Sequence, residues 1–166
     1  MSLSGQLLVA VRLQYGSARD LGSPKYPLSV SKAANLTSGT GANQASKVFD
    51  DTRTLAASTT EDLDLAGSLV DAFGATLTFT KIKGLVVAAH ADNVNNVVVG
   101  GAASNGFINW VADATDKVVV RPGGVFALFA PDATAYAVTA ATGDLLRIGN
   151  SGAGTSVVYD LVVVGV

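Results

Sequence analysis

What most constrains this chain is a rhythm of short runs rich in β-branched residues, each closed by Gly, Pro, Asn or Asp, that repeats from Lys47 to the end. The runs are Lys47 to Thr54, Glu61 to Leu65, Thr76 to Ala89, Asn95 to Val99, Phe107 to Val111, Lys117 to Arg121, Val125 to Ala130, Tyr136 to Ala140, Asp144 to Ile148 and Ser156 to Val164. Strands at a spacing of about ten residues, with no helix-length periodic segment between any two, predict packed antiparallel sheets rather than βαβ units. Ala66 to Phe73 is the nearest approach to a helix, and it is too short and Gly-bounded for more than a turn or two. The expected fold is therefore all-β, a jelly-roll-like antiparallel β-sandwich, with an immunoglobulin-like sandwich as the runner-up.

Alternation assigns faces. In Glu61-Asp-Leu-Asp-Leu65 the leucines point one way and the acids the other, and in Thr76-Leu-Thr-Phe-Thr80 the leucine and phenylalanine point inward. Ile82 breaks that parity, which predicts a bulge near Thr80 to Lys81. Arg121-Pro-Gly-Gly124 and Asn150-Ser-Gly-Ala-Gly-Thr155 carry turn chemistry. The first is expected to join Val118 to Val120 and Phe126 to Phe129 in a hairpin, the second to join Leu145 to Ile148 with the C-terminal strand. That last strand is apolar on both faces, with Val157, Tyr159, Leu161 and Val163 on one and Val158, Val162 and Val164 on the other. Such a strand belongs at the centre of a sheet or in a contact between subunits.

Charge divides the chain in two. Residues 1–46 hold Arg12, Arg19, Lys25 and Lys32 against Asp20, net +3, and residues 47–166 hold seven bases against twelve acids, net -5, which together give the formal -2. Between them Ser38-Gly-Thr-Gly-Ala-Asn-Gln-Ala-Ser46 reads as a flexible linker. The chain thus divides into a basic N-terminal arm and linker, 1–46, with Gln6 to Gln14 as an extended strand, and a sandwich domain, 47–166. Arg12, Arg19, Lys25 and Lys32 are the candidate partner-binding residues of the arm, for an acidic surface or for strand addition to a neighbouring subunit.

Composition excludes more than it identifies. With 49% hydrophobic and 14% charged residues the chain is no disordered polymer, and with no cysteine it has neither disulfides nor thiolate metal sites. Its near-neutral charge argues against nucleic acid as a partner. The N-terminal stretch lacks a basic n-region, and no apolar run approaches a membrane span, so no membrane partner is expected. The sequon Asn35-Leu-Thr37 has no secretory context. Few charges over abundant small apolar residues suggest a surface meant for another chain.

The catalytic inventory is thin. His90 is the single histidine, with Asp92 nearby, but no Gly-x-Ser-x-Gly elbow accompanies it, so no enzyme is expected. The loop Asp92-Asn-Val-Asn-Asn96 offers hard oxygens that suit Ca²⁺, yet lacks the Gly and distal Glu of a calcium loop, and turn formation explains it equally. Glu61, Asp62 and Asp64 form an acidic cluster, but two of the three sit together on the outer face of a strand and read as solvated. No Gly-Lys-Ser/Thr follows the Gly-rich run, and no cofactor is implied. Trp110, with Phe107, is the candidate platform for stacking a sugar, with core or interface packing as the plainer role.

Several strings resemble small virion structural proteins of tailed bacteriophages: Asp51 to Gly67, Asp71 to Phe79, Asn95-Asn-Val-Val-Val-Gly-Gly-Ala-Ala-Ser104, Val120-Arg-Pro-Gly-Gly124 and Ala130-Pro-Asp-Ala-Thr134. The resemblance covers residues 47–166. It implies a head decoration or cement protein without enzymatic activity, assembled as a homotrimer on the virion head and bound to the major capsid protein. Tail or fibre attachment is the nearest alternative, and a carbohydrate-binding β-sandwich module the more distant one.

Overall fold

The computed structural model describes residues 2–166. Among them there is no helix, and twelve strands account for the regular structure. Eight form a sandwich: β4 (Lys47–Leu55), β5 (Thr60–Asp64), β6 (Lys81–Ala89), β7 (Val97–Gly100), β8 (Lys117–Val120), β9 (Val125–Phe129), β11 (Leu145–Asn150) and β12 (Val157–Gly165). One sheet runs β9-β6-β12-β4, with the two-residue β10 (Tyr136–Ala137) extending β9's edge along β6. The other runs β5-β11-β7-β8. Every pairing between these strands is antiparallel. The expected all-β antiparallel sandwich is what the chain forms.

The pairs nest. β4 pairs with β12, β5 with β11, β6 with β9, and β7 with β8, so the body is one long antiparallel pair rolled over on itself. Consequently the chain changes sheet at nearly every connection, and β7–β8 is the only sandwich pair adjacent in sequence. Both expected hairpins are therefore corrected. Arg121 to Gly124 is a tight turn, with Gly124 N–H donating to the Arg121 carbonyl at 2.7 Å and Gly123 at φ 73°. It delivers the chain from β8 in one sheet to β9 in the other. Asn150 to Thr155 likewise leads from β11 across to β12, and the buried Asn150 amide holds that corner by donating to the carbonyls of Ala56 and Thr155. Turn chemistry reverses a chain without choosing the sheet that receives it.

The inner faces interdigitate as alternation dictates. Val157, Tyr159, Leu161 and Val163 of β12, flanked by β4 and β6, meet Leu63, Val97, Val99, Leu146 and Ile148 of the opposite sheet. β12 is thus the central strand its two apolar faces predicted. Leu77 and Phe79 point into the core as expected, but Thr76 to Thr80 is not strand: its bonds are to Leu69, Leu65 and Val166 within a folded excursion between β5 and β6. The bulge lies further along than predicted. Gly165 faces Ile82 and Val164 faces Gly84, leaving Lys83 as the extra residue of β6. Phe107 to Val111 is not a strand either: Gly106 bridges to Leu145, and the chain then turns, Val111 N–H donating to Ile108.

In the N-terminal arm Gln6 to Gln14 is strand as expected, and a second strand folds back on it to make a hairpin. β1 (Ser4–Gly16) and β2 (Lys25–Ser38) pair antiparallel over 13 residues and are closed at the tip by Asp20 and Leu21 between the bridged Arg19 and Gly22. The segment 38–46 is not a free linker. β3 (Gln44–Ala45) pairs parallel with the end of β2, Asn43 N–H donates to Pro131, Ser46 N–H donates to Gly165, and Ala45 is buried. Low complexity concealed these bonds because they are made by the backbone.

Candidate functional site

Opposed residues of an antiparallel pair share a face, so the register sorts the hairpin completely. One face, the more polar, carries Gln6 against Asn35, Arg12 against Ser29, Gln14 against Pro27 and Gly16 against Lys25, with Leu8 against Ala33 and Ala10 against Ser31 between them, and the Gln6 amide donates to Asn35 Oδ1 at 2.8 Å. The other carries Leu7 against Ala34, Val9 against Lys32, Val11 against Val30, Leu13 against Leu28 and Tyr15 against Tyr26. It is apolar from root to tip apart from Lys32. Only the root is covered: Leu7, Leu36 and Ala45 form a small cluster with Phe129 and Val164. Beyond Leu7 the face is open, with Leu13 60%, Tyr15 78% and Tyr26 64% exposed.

The four candidate basic residues thus stand together on the hairpin but divide by face. Arg12 and Lys25 lie on the polar side, Arg19 at the tip, and Lys32 within the apolar side. β2 occupies one edge of β1, and the other edge, where a strand could add, has no strand partner among the described residues. Trp110 belongs to the sandwich instead. Its indole N–H donates to the Phe107 carbonyl at 2.8 Å, and its ring lies 5.3 Å from that of Phe126, tilted by 46°. Phe107 is buried in the core and offers no open ring to a sugar.

A lysine roots the arm. Lys83, placed inward by the bulge, is fully buried, and its ammonium donates to the Gly41 carbonyl at 3.1 Å and to that of Asp132. Burial lowers its pKa from the usual lysine value, against the opposing pull of Asp132. The chain segment below the hairpin and the loop after β9 are thereby fastened to one side chain.

Of the three acids near β5, Asp62 stays exposed and Asp64 is half-buried, but Glu61 does not point outward with them as expected. Glu61 shares the parity of Leu63 and turns inward, where Arg53 donates to its Oε2 through Nε at 2.9 Å and Nη2 at 2.6 Å, and the Tyr159 hydroxyl donates to its Oε1 at 2.5 Å. Asp51 accepts from the remaining arm of the guanidinium at 2.7 Å. Burial, followed by the bond to Glu61, pushes the Tyr159 hydroxyl well above the ordinary tyrosine range, and Glu61 raises Arg53. Asp62 takes a bidentate pair from Arg147 at 2.7 and 2.6 Å, and Asp64 caps the Ala66 N–H. These bonds join β4 and β12 of one sheet to β5 of the other beside an open cleft of about 480 Å³. Sequence reasoning missed the cluster, although the inward parity of Tyr159 and Glu61 carried the signal: a buried hydroxyl needs a partner.

His90 pairs with Asp160 at 3.2 Å rather than with Asp92, and Thr52 donates to the same carboxylate at 2.6 Å. The acid sits between hydroxyl and imidazole, so the histidine is not set to take the hydroxyl proton as a hydrolase triad requires. In the Asp92 to Asn96 loop the Asn93 amide mimics a strand partner, donating to the Val158 carbonyl and accepting its N–H, and Asn95 gathers the Gly152 and Thr155 carbonyls. No group of three metal-ligating side chains occurs among the described residues. No helix there is long and apolar enough to cross a membrane. No family model, curated protein or solved structure matches the chain.

Proposed function

We propose that this chain is a structural protein of a tailed-bacteriophage virion, a decoration or cement protein that stabilises the head by bridging capsomers. The observation that carries the reading is the hairpin, whose apolar face beyond Leu7 has no cover in the monomer and whose polar face and tip present Arg12, Arg19 and Lys25. An element of that shape gains its stability by burial against another surface, which is the work of an assembly protein. The nested pairing of the eight sandwich strands supports a jelly roll. The body holds its own core and serves as the rigid base, while the basic face and tip meet an acidic shell formed by the major capsid protein. Homotrimers on the head surface, assembled in the host cytoplasm, multiply each contact, so that bursting the shell requires many to break together.

Immunogold labelling of virus particles from cells producing the chain with its companion structural proteins tests the reading. Label over the head, reduced at least tenfold by Arg12→Glu with Lys25→Glu, is the expected result. Label confined to the tail moves the protein to a tail or fibre, and unlabelled particles overturn the proposal.

A further inference from the structure

The hairpin leaves one surface uncovered and the sandwich leaves another. The seven open side chains on the apolar face between Val9 and Val30 expose roughly 700 Å², close to the ~800 Å² per partner of a stable interface. On the body, the outer face of the β9-β6-β12-β4 sheet is apolar in its middle: Ala127, Val86 and Val162 stand in one row, next to the row of Phe129, Gly84 and Val164. The outer face of the β5-β11-β7-β8 sheet differs, since Asp62 and Arg147 face each other across it as an ion pair.

The chain itself displays how the two surfaces fit. At the arm's root, Leu7 sits over Gly84 between Phe129 and Val164, so close that a Cβ on Gly84 would meet the Leu7 side chain at 3.0 Å. The arm then departs, and its remaining apolar pairs lie open beside a sheet face that is itself only partly covered. Charge is complementary too. The arm is net +3 and Lys32 is the lone charge on its apolar face, whereas Asp50 of the edge strand β4 is exposed on the outer side of the sheet, as is Asp160, which already accepts from Thr52 and pairs with His90. Sheets stack at about 10 Å and neighbouring strands lie about 4.8 Å apart, so a two-stranded ribbon fits within the width of a four-stranded face.

We infer that the apolar face of one copy's hairpin packs on the outer face of the β9-β6-β12-β4 sheet of a second copy, with Val11 and Leu13 over Ala127, Val86 and Val162, and Lys32 beside Asp50 on the edge strand β4. This goes beyond the virion reading by specifying which two surfaces of the chain meet, and it is tested on purified protein without any shell, so either can fail alone. The absence of cysteine allows clean trapping. Leu13→Cys protein mixed with Ala127→Cys protein should cross-link into a dimer under mild oxidation, with at least a tenfold excess over either variant alone. Both sites are exposed, so folding is not at stake. In sedimentation, the unaltered chain should be oligomeric, Leu13→Asp and Ala127→Glu should each be monomeric, and mixing those two should restore a dimer. A monomeric unaltered chain overturns the inference. So does cross-linking of Leu13→Cys alone at the level of the mixture, which would put hairpin against hairpin, or an oligomer lost with Leu13→Asp but kept with Ala127→Glu, which would put the contact on another surface.

Discussion

The hairpin and the sandwich are built from the same kind of residue yet are held in different ways. In the sandwich, alternate side chains of two sheets bury one another, and Tyr159, Leu161, Ile148 and Val97 are sealed from water. In the hairpin an equally regular alternation of Leu, Val and Tyr meets nothing beyond Leu7. Backbone pairing over 13 residues gives the hairpin its shape; a second layer gives the sandwich its stability. The contrast teaches that alternation specifies a face and leaves open what covers it.

The largest effect that sharpens this contrast belongs to the core. Leu161→Ala, at the centre of β12, should cost about 3–4 kcal/mol in denaturant unfolding, since little in a two-sheet core can collapse into the gap. Glu61→Ala should follow, at about 2–3 kcal/mol, because it strands the Tyr159 hydroxyl and the Arg53 guanidinium together. Lys83→Met keeps the side-chain volume but removes both donated bonds, at about 1–2 kcal/mol, and should raise hydrogen exchange in the segment around Gly41 more than in β12. Leu13→Ala should change unfolding of the dilute protein by less than about 0.5 kcal/mol, as for an ordinary surface site. A cost comparable to that of Leu161→Ala would erase the distinction between the two regions.

Tyr159 adds a test through pH. Its folded-state pKa is raised above the ordinary 10.0, so the folded chain keeps the proton after the unfolded chain has lost it. The contribution is fully present below pH 10.0 and is lost as pH rises beyond it towards the folded value. The stability difference between the unaltered chain and Tyr159→Phe should therefore shift against the unaltered chain above pH 10.0 and be flat at neutral pH. A flat difference throughout would place the hydroxyl in water.

Much of the sandwich was legible in the sequence, because period-two alternation reports burial directly. The central place of β12, the inward Leu77 and Phe79 and the absence of helix among the described residues all follow from it. Pairing was not legible. Arg121-Pro-Gly-Gly124 signals a turn whether the next strand joins the same sheet or the opposite one, and only packing of the whole body decides which. The bulge was misplaced because Ile82 breaks parity at the strand's entry, whereas the extra residue is Lys83, a lysine that sequence reasoning expects at the surface. For the arm, net charge drew attention to Arg12, Arg19, Lys25 and Lys32. The more telling pattern, Leu7, Val9, Val11, Leu13 and Tyr15 at every second position, acquires its meaning only once β2 supplies Tyr26, Leu28 and Val30 on the same face.

Hydrogen–deuterium exchange of the unaltered chain at high and at low protein concentration tests the central claim most directly. If the hairpin is completed by a second copy, amides of β1 and β2 beyond Leu7 will be protected at high concentration and exchange at least tenfold faster on dilution, while those of β12 remain unchanged. Hairpin amides protected as well as β12 at every dilution would contradict the account, since the arm would then hold its structure without a partner.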